Sequence, residues 1–287
     1  MRRHLQGIDH VVIAVANLDQ AEADFRRLGF TLTPRGRHTM GSENHCVMFP
    51  DDYYELLAVP ADHPLTRYYS DFLGAGDGLA ALALKTDDAA GFHAELQSSG
   101  IGVDAPVDFS RPVALPEGVR DAAFRIAQVD IAETPGGRTF ACQHFTRDVV
   151  WRSEYMAHAN GAIGLQGISV LTSEMCFGEV RTAYDRLFDR ASEGRGEQGT
   201  SWRMATGDTP IRMFTPASFA DEYSGLEAGK RVPPFFAALH FRVRSVEHTR
   251  RVLDLAGVEF ILRPDGALAV ASALTHGLVI IFTELPA

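Results

Sequence analysis

The stretch Ile8-Asp9-His10-Val11-Val12-Ile13-Ala14-Val15 decides the reading of the chain. It is apolar, rich in β-branched residues and of strand length, with one Asp-His pair set into it. Asn17 or Asp19 then offers an N-cap for a helix through Ala21, Ala23, Phe25 and Leu28. Gly29 ends that helix ahead of a second expected strand, Phe30-Thr31-Leu32-Thr33. The order strand, helix, strand recurs three more times. Leu79 to Lys85 is a strand, Asp87 and Asp88 are caps for a helix carrying Phe92 and Leu96, and Gly100 precedes Ile101-Gly102-Val103. Ala237 to Val243 leads through Ser245 into a helix with Val252 and Leu253, and Gly257 precedes Val258-Glu259-Phe260-Ile261. A looser copy opens at Gly167 to Leu171, with Thr172 or Ser173 as cap, and runs through Val180, Ala183, Tyr184 and Leu187.

Aligning His10, Ala81, Gly167 and Ala238 gives separations of 71, 86 and 71 residues, and both halves repeat at an offset of 157. That spacing implies a two-unit half duplicated once within the chain. Each unit continues into more strand-like sequence: His45 to Val59, Phe124 to Phe145, Trp202 to Phe214, and Ala267 to Glu284. The expected fold class is therefore α+β, built from four βαβββ modules in two pairs. A doubly wound parallel sheet would need a helix between successive strands, and no G-x-G-x-x-G cradle follows the first one.

The 287 residues are 46% hydrophobic and 22% charged, enough for real cores and unlike a disordered chain. A formal net charge of −10 gives no electrostatic footprint for nucleic acid or an anionic membrane, and neither is expected as a partner. Cys46, Cys142 and Cys176 are too few and too scattered for a disulfide framework or a zinc knuckle. The basic start Met1-Arg2-Arg3-His4 is not followed by an apolar signal region, and Ala267 to Phe282 is too interrupted to span a bilayer. A cytoplasmic protein is expected.

With these elements in place, the chain resembles the vicinal oxygen chelate superfamily, in particular its glyoxalase-like branch. The residues that carry the likeness are Gly7 to Val15 with Leu18-Asp19, Leu28-Gly29-Phe30, Tyr54-Glu55-Leu56-Leu57, Gln143-His144-Phe145-Thr146 and Val150-Trp151-Arg152. The resemblance implies that paired modules curl into cups around a divalent metal, which substrates chelate through adjacent oxygens. It divides the chain into an N-terminal pair of modules at 1–150 that holds the site, a linker at 151–162, and a C-terminal pair at 163–287.

By that resemblance His10 and Glu55 stand at the first-strand and last-strand ligand positions of the first unit, a donor pair suited to Zn, Mn, Ni or Fe(II). The second unit lacks both of its expected ligands: Ala81 replaces the histidine, and the carboxylate position falls at Ala141 or Cys142. If Cys142 faces the cup, His144 does too, because residues i and i+2 share a strand face. His144 would then complete a set of two histidines and one carboxylate. The 157 offset maps His10 onto Gly167 and Glu55 onto Arg212 or Ile211, so the second half is expected to be scaffold, lid or interface. His38 and Asn44 in the loop before the Glu55 hairpin, and Trp151 and Arg152 after the His144 strand, are the expected substrate-binding residues.

The leading expectation is a metal-dependent enzyme with lyase or isomerase chemistry on a small oxygenated substrate, through a metal-stabilised enolate, with Glu55 as its catalytic carboxylate. An extradiol-type ring-cleaving dioxygenase and a non-catalytic small-molecule binding or resistance protein are the alternatives. A homodimer is compatible with either. Fold alone does not choose among them.

Overall fold

Strand β1 (Gly7–Ala14) is buried along its whole length because each face has a partner layer. Val11, Ile13 and Val15 pack in one core with Phe25 and Phe92, whereas Val12 packs on the opposite side with Leu57 and Ala81. The structure, a computed structural model, describes residues 2–38, 41–61, 63–64, 66–115, 118–195 and 201–284.

The first unit continues with α1 (Leu18–Arg27), β2 (Gly36–Arg37), β3 (Glu43–Met48) and β4 (Tyr53–Ala58). After α2 (Arg67–Leu73) the second unit comprises β5 (Gly78–Lys85), α3 (Ala89–Ser98), β6 (Val107–Leu115), β7 (Gly118–Gln128) and β8 (Arg138–His144). A short α4 (Arg147–Val150) leads into the third: β9 (Ala162–Leu171), α5 (Phe177–Phe188), β10 (Glu193–Arg195), β11 (Ser201–Met204) and β12 (Ile211–Phe214). The fourth follows α6 (Pro216–Glu222) with β13 (Phe235–Val243), α7 (Val246–Leu255), β14 (Ile261–Leu262), β15 (Leu268–Val270) and β16 (Val279–Glu284). Four βαβββ units are present, as the spacing predicts. No helix among the described residues is long and apolar enough to cross a membrane.

Three of the four principal helices start on a side-chain cap. Asn17 accepts from the Gln20 amide, Asp88 from Gly91 and Ser245 from His248. In α1, Leu18, Ala21 and Phe25 fall on one face and are buried, and a fully buried Phe25 ring contributes about 2–3 kcal/mol. Gly29 follows at φ 86°, where a Cβ would stand 2.9 Å from the Asn160 backbone nitrogen, so glycine is required twice over. The third-unit helix differs from expectation. It begins at Phe177, and Ser173 instead accepts from the Cys176 amide at 3.3 Å.

The expected second strands are also corrected. Phe30 to Thr33 forms no ladder; Phe30 and Leu32 are buried, and the Phe30 ring packs 5.0 Å from Phe241 and 5.4 Å from Tyr54. Apolar content there serves the core between the two halves, not strand pairing. Ile101 to Val103 contributes a lone bridge from Val103 to Val129, and of Val258 to Ile261 only Ile261 enters a strand.

The sixteen strands form one branched sheet among the described residues. In the first half the order is β2-β3-β4-β1-β5-β8-β7-β6, in the second β10-β11-β12-β9-β13-β16-β15-β14, and Phe236 opposite Leu79 joins them through β13 and β5. Each half curls into a cup that does not close; β6 approaches β2 without pairing to it. Strand register carries the 157 offset. His10 lies opposite Ala83 and Val12 opposite Ala81, while Gly167 lies opposite His240 and Ser169 opposite Ala238. Val12 is beside Glu55, and Ser169 beside Arg212. By the same register Ala83 is beside Phe140, so the second-unit counterpart of Glu55 is Phe140 and not Ala141 or Cys142.

The second cup is filled by the chain itself. Phe219, Tyr223 and Leu226, on and after α6, pack against Leu171, Phe214, Phe235 and Ile281. Tyr223 and Ser169 hydroxyls meet His240 Nε2 at 2.9 and 3.2 Å, and burial first of all, with the nearby Arg212 and Arg263 charges, pushes the His240 imidazole down to about 3. It is a neutral core histidine.

Candidate functional site

A bulge in β1 shapes the first cup. The β1/β5 register shifts between Ile8 and His10, which lets Asp9 and His10 approach each other although strand neighbours ordinarily point apart. His10 Nδ1 lies 2.7 Å from Asp9 Oδ1. From β8, His144 Nε2 reaches the same Asp9 oxygen at 3.0 Å, and Cys142 Sγ stands 3.6 Å from His144 Nε2. One donor atom from each of Asp9, His10, Cys142 and His144 fits within a mutual distance of 4.8 Å. The His10 ring is stacked on Tyr53 at 4.3 Å and edge-on to Phe140 at 5.7 Å, which locks its plane.

Electrostatics follow from this packing. Asp9 is 1% exposed. Burial alone would raise its carboxyl, but hydrogen bonds from His10 and His144 outweigh it and hold the group below the ordinary carboxylate range. Burial, with the Asp9 and Glu55 charges, pushes the Cys142 thiol well above its usual value. Without a cation it is a protonated, inert thiol. Asp9 Oδ2 and His144 Nδ1 are buried without a hydrogen-bond partner, so the cluster retains unspent polar capacity.

Beside this cluster lies a cavity of about 260 Å³. His10 and Cys142 form part of its wall, Tyr53, Phe109, Phe124 and Phe140 supply much of the apolar surface, and Glu55 and Asn44 face it from β4 and β3. Glu55 is 8% exposed; its Oε1 accepts from Asn44 Nδ2 at 2.5 Å and stands 3.9 Å from His38 Nε2. His38 is oriented through Nδ1 by the Ser42 hydroxyl at 2.7 Å. Burial above all, then the Arg111 charge, moves its imidazole toward the neutral form against the pull of Glu55.

The residues expected from the sequence therefore fall into three places. His10 and His144 come together with Asp9 and Cys142. Glu55, His38 and Asn44 share the cavity but lie outside that donor cluster. Trp151 and Arg152 do not line the cavity: Trp151 packs edge-on against His144 at 4.9 Å and Tyr53 at 5.3 Å, behind the cluster, and Arg152 pairs with Glu154 at 3.0 Å. Nearby His158 accepts from the Thr31 amide and reaches the Met48 carbonyl at 2.9 Å, a structural anchor. Sequence reasoning missed Asp9, whose role depends on the bulge, and Arg111 and Arg138, two cations of the cavity wall on β6 and β8.

A family model described as a glyoxalase-like domain matches residues 8–188. No curated protein matches the chain in sequence. Among solved structures, a hypothetical protein from Staphylococcus aureus is similar at 14% identity and TM-score 0.67, over 97% of this chain and 99% of that one. A 4-hydroxymandelate synthase variant from Streptomyces coelicolor matches at 14% identity and TM-score 0.64, over 98% and 93%. A fusion of a xylose isomerase-like TIM barrel with a 4-hydroxyphenylpyruvate dioxygenase matches at 12% identity and TM-score 0.63, over 99% of this chain and 49% of the fusion, about half its length. At these identities the likeness is one of fold.

Proposed function

The chain belongs to the glyoxalase-like domain family, and from that premise we propose that it is a metal-dependent enzyme that moves a proton on a small oxygenated organic substrate, in lyase or isomerase chemistry. The observation that carries the reading is the buried Asp9, His10, Cys142 and His144 cluster in the wall of the cavity that Glu55 also faces. Its donors fit a divalent ion: an ionised carboxylate, two imidazoles and a thiol, with two buried polar atoms lacking partners. Zn, Mn, Ni and Fe(II) all accept such donors, and the thiol favours zinc among them. When bound, the ion supplies a Lewis acid that polarises a substrate oxygen and favours enolate formation.

The remaining work belongs to the side chains. The Glu55 carboxylate is the proton acceptor, and because it stands outside the donor cluster it keeps that role with an ion in place. Asn44 donates to Glu55 and fixes the carboxylate toward the cavity, while His38, its imidazole moved toward the neutral form by burial, lines the same cavity 3.9 Å from Glu55 Oε1. Tyr53 and Phe140 hold the His10 ring and keep water from that wall.

A second reading is favoured by one feature. Asp9, His10 and His144 make a two-histidine, one-carboxylate set, the donor pattern of non-haem iron oxygenases. Metal analysis of protein purified from metal-replete cells, wild type against His10→Ala and Glu55→Ala, tests both. About one ion per chain, lost in His10→Ala and kept in Glu55→Ala, is the expected result. Iron with oxygen uptake on catechol-like compounds would promote the oxygenase. No metal in any protein would overturn the enzymatic reading and leave a binding protein.

A further inference from the structure

The cavity holds two guanidinium groups that no carboxylate among the described residues reaches within ion-pair distance. Arg111 on β6 and Arg138 on β8 both line it, and neither forms an ion pair among the described residues. Arg138 lies 4.3 Å over the Tyr68 ring and 5.4 Å from that of Tyr69, with which it also shares a hydrogen bond; both partners are neutral and bring no counter-charge. Its Nε is buried without a hydrogen bond. Arg111 is positioned by the approach of β6 to β2, where a Cβ on Gly36 would stand 3.4 Å from its Nη1. On the outer strands, by contrast, Arg125 pairs with Asp108 at 2.6 Å and Arg120 with Asp148 at 2.6 Å. Of the acidic wall residues, Glu55 is oriented by Asn44 and supplies one negative charge against the two guanidinium groups, and Asp104 is exposed to solvent that screens it.

Partly burying a guanidinium without a counter-charge is costly, and the cost is recovered when an anion arrives to be met by charge-assisted hydrogen bonds. The rest of the wall sets the body of that anion: Tyr53, Tyr69, Phe109, Phe124, Phe140 and Ile126 are rings and aliphatic surface. We propose that Arg111 and Arg138 are the anion-recognising residues of the cavity and that its ligand is a small organic acid, a carboxylate on an apolar, ring-sized body. A single carboxylate suits this site better than a phosphate ester, because the wall offers two guanidinium groups amid apolar surface with a carboxylate, Glu55, beside them. The inference names the substrate class of the proposed enzyme and rests on that reading for taking the cavity as the reaction site, but anion binding itself needs no ion in place.

The test is calorimetric titration of the full chain at low ionic strength, in chelator, with phenylacetate and 3-phenylpropanoate and with the amide of each. The acids are expected to bind about tenfold to a hundredfold more tightly than their amides, the range for losing a hydrogen bond to a charged group. Arg111→Gln and Arg138→Gln should each bring acid affinity toward that of the amide, with amide affinity unchanged, and Arg111→Lys should keep part of the preference. Melting temperatures show whether each variant folds; if Arg138→Gln does not, Arg111→Gln decides. Equal binding of acid and amide, no binding of either acid, or an undiminished preference in folded Arg111→Gln would overturn the inference. Because the titration is run in chelator, the acid preference is read with no ion bound, so failure of the metal reading and failure of anion recognition give different results.

Discussion

Replacing Asp9 by Asn removes one charge from the buried cluster and changes almost no volume. Asp9 Oδ1 accepts from both His10 Nδ1 and His144 Nε2, so it fixes two imidazoles at once. The asparagine oxygen can keep both bonds only in weakened, uncharged form, and its amide nitrogen then takes the place of Oδ2, which is buried with no partner. An orphaned buried donor costs about 1–3 kcal/mol, and weakening two charge-assisted bonds adds to it, so a stability loss of about 2–4 kcal/mol is expected. Losing a carboxylate that orients or joins metal donors lowers affinity about tenfold to a hundredfold, or about 1.4–2.7 kcal/mol. Urea unfolding of metal-free protein gives the first quantity, and competition against a chromophoric zinc chelator gives the second. Asp9→Asn protein that binds zinc as tightly as wild type would refute the reasoning, whatever its stability.

Further expectations concern single contacts. Glu55→Gln should keep the metal stoichiometry of wild type while abolishing turnover of any substrate found, since Glu55 lies outside the donor cluster; loss of metal on mass spectrometry would make Glu55 a ligand. Gly36→Ala sets a Cβ 2.3 Å from Asn44 Oδ1, so the amide that holds Glu55 must move. A cost of about 1–3 kcal/mol in unfolding free energy and weaker ligand binding are expected, and unchanged binding would show that Asn44 does not position Glu55. Asp52, which accepts from the Leu165 amide at 3.0 Å, is pushed by burial from 3.8 up to about 7. Its contribution to stability is full below pH 3.8 and lost as pH rises through about 7, on the order of 4 kcal/mol when complete. Asp52→Asn should therefore be the more stable protein above pH 8 in urea melts and lose that advantage toward pH 4; a gain that is equal at both ends would exclude the titration.

The repeat was legible because strand, cap and helix recur at fixed spacing, and the 157 offset survives as strand register from His10 and Gly167 to Ala83 and His240. Local patterns could not separate a strand from a buried coil, which is why Phe30 to Thr33 read as a strand although its rings serve the core. The cavity pair His10 and Glu55 stood out by family position, whereas Asp9 is polar on a strand whose alternation should turn it away; only the bulge brings it to His10. Arg111 and Arg138 carried no motif. Their interest arises from the absence of a carboxylate in ion-pair contact among the described residues, a property of the folded cup and not of any sequence window.

The central claim is that the metal is held by the wall formed by β1 and β8. X-ray absorption at the edge of the bound metal, on wild type and Cys142→Ser, tests it most directly. A first shell of nitrogen and oxygen with one sulfur, the sulfur absent from Cys142→Ser, is the expected result. A sulfur-free shell in wild type that changes with Glu55→Gln and not with Cys142→Ser would contradict it.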